Sequence, residues 1–136
     1  SGSAARQRNM ADASALQIAG RSGASPLVSA LAWLNAVGSD AQWMSPQGKL
    51  LAHSAVQQQW LADINRSTAG AWQRALVGEA APPGSVPWTL RQRDSAVGSL
   101  WIEGTTLWWR DARGVLFTAA ASEEQVRGWI DATRGW

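Results

Sequence analysis

Hydrophobic alternation is clearest in the last third of the chain. Leu100 and Ile102 alternate with Trp101 and Glu103, the period of a half-buried strand. Gly104-Thr105 offers a tight reversal, and 106–111 reads as a second strand with Leu107 and Trp109 on one face. Asp111-Ala112-Arg113-Gly114 is turn chemistry, with Asp suited to the first position of a type I turn and Gly to the last. A third strand follows over 115–118. Ser122-Glu123-Glu124-Gln125 then matches a capping box with acids in the first helical turn, where the helix dipole favours them. Val126, Trp129 and Ile130 recur at i, i+3 and i+4, a stripe whose nearest apolar surface is the hairpin just upstream.

Helical spacing dominates further back. Residues 4–19 are polar with scattered Ala and carry Met10, Leu16 and Ile18, a pattern that fits a helix or a linker equally, and 20–23 break it. Ser25-Pro26 is a helix start, Ser as cap and Pro at the first helical position. Leu27, Leu31 and Leu34, with Val28, Trp33 and Val37, make an apolar helix of about three turns that Gly38 is placed to end. Residues 41–53 read two ways: a hairpin turning at Ser45-Pro46-Gln47-Gly48, or a loop that starts a helix at Gln47. From Ser54 a helix places Val56, Trp60, Leu61 and Ile64 on one face. After a break near 65–70, Trp72, Ala75 and Leu76 continue that pattern to Gly78.

The stretch 78–87 has three Pro and two Gly in ten residues, which excludes a helix or a central strand. Val86, Trp88 and Leu90 alternate as a further strand to about Arg93, and 94–98 turn the chain into the Trp101 strand. The expectation is therefore α+β: N-terminal helices packed with an antiparallel sheet of three to five strands, closed by a C-terminal helix. Residues 1–24 form a tag remnant (Ser1-Gly2-Ser3) and a leader, and 25–136 form one domain. That domain divides into a helical half 25–78, a hinge 78–87 and a sheet-plus-helix half 86–136. Ala-Val-Gly-Ser recurs at 36–39 and 96–99, and Trp43 to Gly48 shares its spacing with Trp109 to Gly114. An ancient duplication would explain such matches, but in a chain this rich in Ala and Gly chance is the better account.

Composition removes several classes of function. There are ten Trp, one Phe and no Tyr, with eleven Arg to one Lys, choices that lean toward GC-rich codons, so a GC-rich bacterial genome is the bland explanation for much of the Trp and Arg. A pI of 10.4 reflects the near absence of groups that titrate between neutrality and pH 10, since the formal charge is only +2. Residues 86–136 hold six Arg and six acids, and the excess sits at Arg6 and Arg8, so the chain lacks the basic footprint of a nucleic-acid binder. Without Cys there are no disulfides or Cys-ligated metals, and no apolar run approaches a membrane span.

Candidate chemistry is sparse. His53 is the single His, so no metal site with two His ligands forms within one chain. Adjacent side chains diverge on both strands and helices, so His53-Ser54 is not a dyad, although Asp40 or Asp63 could orient the ring. Glu123 and Glu124 are explained as helix-start residues. The glycines form no phosphate loop. No cofactor, metal or catalytic set is expected.

A surface is the stronger candidate. If Leu90, Leu100, Ile102, Leu107 and Trp109 face a helix, then Trp101, Trp108, Arg91, Arg93 and Arg110 project on the opposite face with Glu103. Trp and Arg concentrate at the centres of protein interfaces. The competing reading packs this face on the N-terminal helices, whose Trp33, Trp60 and Leu31 also need partners. The function expected is a non-catalytic interaction or assembly domain with a protein partner or a second copy of itself. It reads as the periplasmic part of a bitopic bacterial envelope protein of a secretion or pilus machine, its membrane anchor outside this sequence, with a cytoplasmic location as the alternative. A glycan- or peptide-binding module using exposed Trp, and a small hydrolase using His53, are the alternative functions.

Overall fold

The computed structural model describes residues 25–76, 81–82 and 84–136. The leader expected over 1–24 and the start of the hinge lie outside them. In chain order the elements are α1 (Leu27–Val37), a 3-10 turn (Gly38–Asp40), β1 (Ala41–Met44), β2 (Leu50–Ala52), α2 (Ala55–Ser67) and β3 (Trp72–Arg74). Then come β4 (Trp88–Gln92), β5 (Ser95–Glu103), β6 (Thr106–Arg110), β7 (Leu116–Ala120) and α3 (Glu123–Ala132). The strands form one antiparallel sheet of seven, ordered β2-β1-β4-β5-β6-β7-β3. The α+β class stands, with a wider sheet than the three to five strands expected.

The division into a helical and a sheet half does not survive. Three strands come from the first half, and β1 pairs with β4 across the 78–87 connection in the register Trp43↔Leu90. Residues 41–53 form the hairpin rather than the helix. Trp72, read as continuing a helix, starts a strand that pairs with β7 at Ala119. Its spacing to Leu76 imitated helical periodicity, but Leu76 is 78% exposed and joins no apolar stripe. The turn expected over 94–98 is tighter: Gln92 pairs directly with Ser95, and Arg93 takes a left-handed φ of 57° to allow it.

Helix ends follow local chemistry. Pro26 already has helical angles and Ser25 Oγ accepts from the Leu27 N–H at 3.0 Å, while Gly38 at φ 63° ends α1. Ser54 with Gln57, and Ser122 with Gln125, form complete capping boxes on α2 and α3.

One face of the sheet carries the core. Trp43, Trp88, Leu90, Leu100, Leu107 and Trp109 meet Leu27 and Leu34 of α1, Trp60, Leu61 and Ile64 of α2, and Val126 and Trp129 of α3. Leu90, Leu100, Leu107 and Trp109 thus face the helices as expected, with Ile102 half-buried beside them. Val56 and Ile130 do not join their stripes; they are 57% and 42% exposed. Trp60 sits at the hub of an aromatic cluster, its ring centroid 5.9 Å from Trp43, 5.3 Å from Trp88 and 5.1 Å from Trp136. At Gly98 the Trp109 indole lies directly over the strand, where a Cβ would come within 2.2 Å of Cζ2.

The spacing shared by Trp43 to Gly48 and Trp109 to Gly114 is structural. In both turns the first residue donates to the carbonyl four positions on and accepts from the Gly N–H: Ser45 with Lys49 and Gly48, Asp111 with Val115 and Gly114. Ser45 Oγ accepts from the Gln47 and Lys49 amides, and Asp111 Oδ1 from the Arg113 and Val115 amides. Each hairpin leads into a Ser/Gln-capped helix, and the sheet order sets β2-β1-β4 and β5-β6-β7 symmetrically about the β4/β5 pair. The Ala-Val-Gly-Ser matches, by contrast, fall at a helix end and within a strand.

Candidate functional site

All three described helices pack on the core face, so among the described residues no helix covers the opposite one. Strand alternation sends Trp101 and Trp108 to that face, where they are direct cross-strand partners, with Thr118 next in the row. The adjoining row runs Met44, Thr89, Ser99 and Arg110. The competing expectation, in which this face packs on Trp33, Trp60 and Leu31, is not what the helices do: all three belong to the other side.

Exposure divides the five candidate residues. Arg110 is exposed, and its guanidinium lies 5.2 Å from the centroid of the Trp101 ring, a cation–π arrangement. Trp101 itself is only 7% exposed, so the expectation of a free Trp101 platform is corrected. Its place next to the connection before β4 accounts for part of the cover: Ser85, Val86 and Trp101 line one small cavity, and Ser85 Oγ donates to Glu103 Oε1 beside it. Trp108 is half-buried, and its indole Nε1, shielded from solvent, meets no acceptor among the described residues. Arg91 is half-buried and donates through Nη2 to the Arg93 carbonyl at 3.2 Å, and Arg93 stands exposed at the tip of the β4/β5 turn. Trp101, Trp108 and Arg110 therefore form one cluster, and Arg91 with Arg93 a second at the turn end.

His53 has another job. Trp43 Nε1 donates to its Nδ1 at 3.1 Å, which leaves Nε2 to carry the proton and donate to Gln58 Oε1 at 2.9 Å. Both ring nitrogens are occupied in tying β1 to the start of α2. The Ser54 hydroxyl belongs to the α2 capping box, and Glu123 and Glu124 lie in the first turn of α3 as expected. No group of three or more His, Asp or Glu side chains gathers in metal-binding geometry among the described residues.

Sequence reasoning missed the groove between α2 and α3, a cavity of about 850 Å³ floored by Trp60 and Trp129. Trp60 Nε1 donates to the Trp129 carbonyl at 3.1 Å, and Trp129 Nε1 donates to Asp63 Oδ2 at 3.1 Å, so the floor is pinned from both helices. The signal available in sequence was Gly128, a glycine inside an otherwise well-capped helix.

Compared with protein-family models, with curated proteins and with solved structures, the chain matches none.

Proposed function

We propose that this chain is a non-catalytic protein-interaction or assembly domain that docks through the sheet face opposite its helices. The observation that carries the reading is the cross-strand Trp101/Trp108 pair with Arg110 stacked on it, on a face no described helix covers. The Trp108 indole N–H, shielded and without an acceptor among the described residues, costs the fold about 1–3 kcal/mol. Large aromatics beside Arg are the residues that dominate interface energetics. A glycan platform is less well supported, because it needs an open indole face and Arg110 already lies over that of Trp101. The hydrolase reading finds no support at His53, whose ring nitrogens are both engaged.

The envelope placement, periplasmic with a cytoplasmic location as the alternative, is part of the same proposal and rests on the Arg6/Arg8 leader, since the absence of Cys fits either side of a bacterial membrane. No helix among the described residues is long and apolar enough to cross a membrane. An alkaline-phosphatase fusion to the full-length gene tests the placement, since activity requires export.

The docking test uses Arg110→Glu, because an exposed substitution changes folding stability by only about 0.5 kcal/mol. Trp108→Ser is read alongside it. Association is followed by sedimentation velocity for self-assembly and by crosslinking in source-cell envelopes for a different partner. Both variants should stay folded and lose association. If Arg110→Glu associates like the parent, and Trp108→Ser acts only as a destabilising core change, this face is not the interface.

A further inference from the structure

We propose that the groove between α2 and α3 is a second docking site, built to seat a basic amphipathic helix of a protein partner. It lies on the opposite side of the sheet from the Trp101/Trp108 cluster and is independent of it. The groove exists because the two helices are held apart by indoles: Trp60 and Trp129 fill the space beneath, linked by the Trp60 Nε1 to Trp129 carbonyl bond, and Trp136 also lines it. Its walls alternate small residues, Ala55 on α2 and Gly128 and Ala132 on α3, with the longer Gln59 and Gln125.

Gly128 is the informative residue. A glycine inside a helix is less favourable than alanine, because the unfolded chain loses more freedom on ordering it. Such a residue is usually explained by a neighbour that leaves no room for a Cβ, as Trp109 does at Gly98. At Gly128 a Cβ would meet nothing within 4 Å. The packing of the described residues does not call for glycine there, whereas a helix laid closely along α3 would. Val56, 57% exposed on the facing helix, offers such a visitor an apolar contact.

Charge selects the visitor. Among the described residues the ionisable ones lining the groove are Asp63 and Glu124, one on each helix, with no cation beside them in the lining. Glu124 makes no ion pair among the described residues. Asp63 uses one oxygen for Trp129 Nε1 and the other for the exposed Arg66. A helix with an apolar ridge flanked by Lys or Arg complements this lining. A second copy of this chain does so poorly: the same groove would oppose its own carboxylates, and α1, the most apolar helix, has no charged residue. With α2 spanning 13 residues, the groove is about 20 Å long and takes a visiting helix of three to four turns.

The test is a titration of the full chain with a synthetic helical peptide of about fourteen residues, leucines along one face and lysines on its flanks. Trp emission or calorimetry reads binding, and a twin peptide carrying glutamates in place of the lysines is run beside it. The chain's own formal charge is +2, so general attraction does not favour the cationic peptide. Saturable binding is expected, at least tenfold tighter for the lysine peptide. Asp63→Asn/Glu124→Gln should weaken it about tenfold, the asparagine keeping an acceptor for Trp129 Nε1. Gly128→Leu should abolish it by filling the groove while far-ultraviolet circular dichroism stays unchanged. The proposal is overturned by no saturable binding, by equal binding of the twins, or by undiminished affinity in Gly128→Leu.

Discussion

Replacing Gly98 by alanine puts a methyl group where the Trp109 indole already lies. The new Cβ would stand 2.2 Å from Cζ2 and 2.4 Å from Cη2, against an ordinary carbon–carbon contact of about 3.5–4.0 Å. The ring must therefore retreat by roughly 1.5 Å. Trp109 is 2% exposed and packs in the core cluster with Leu100 and Leu107, so its retreat disturbs buried neighbours. Overpacking of this kind costs about 1–3 kcal/mol. The lower backbone entropy of an unfolded alanine offsets about 0.5–1 kcal/mol of that. The net loss expected is about 1–2 kcal/mol, a fall in Tm of roughly 4–8 °C for a chain of this size. Urea unfolding followed by Trp emission measures it directly. A double-mutant cycle with Trp109→Phe isolates the contact, because the clashing atoms belong to the indole's benzo ring and phenylalanine lacks that reach. The coupling should be about 1 kcal/mol or more, with the second substitution less damaging in the Gly98→Ala background. Gly98→Ala at or above parental stability, or strict additivity in the cycle, would refute the seating of Trp109 on this glycine.

The same substitution at Gly128 should do the reverse: with open space around the new Cβ and better helix propensity, Gly128→Ala is expected to add about 0.5–1 kcal/mol in the same urea assay. Trp129→Ala removes a 6%-exposed indole and its bond to Asp63, and should cost about 3–5 kcal/mol; a melting point within a degree or two of the parent would make α3 peripheral. Arg93 is the one non-glycine residue held at a left-handed φ among the described residues, so Arg93→Gly should raise stability by about 1 kcal/mol in thermal unfolding.

What the chain determines by itself is what closes over a few residues. The Asp111 turn, the Ser122 and Ser54 helix starts and the Pro26 and Gly38 boundaries were all legible, because their bonds join groups two to four positions apart. The inward face of the Trp101 and Trp109 strands was legible as well, since alternation is a property of the strand alone. Even the alternative left open at 41–53 is decided by local chemistry, Ser45 Oγ holding the turn amides. Pairing across the chain was not legible. Three-residue strands such as β2 and β3 carry too short a pattern to be told from helix or loop until β1 and β7 offer them partners. The cover over Trp101 depends on Arg110 and on the connection before β4. The groove depends on a bond between Trp60 and Trp129, 69 positions apart. Alternation could say which way a tryptophan points; only the packed fold could say what stands in front of it, because burial is set by neighbours that share no stretch of sequence.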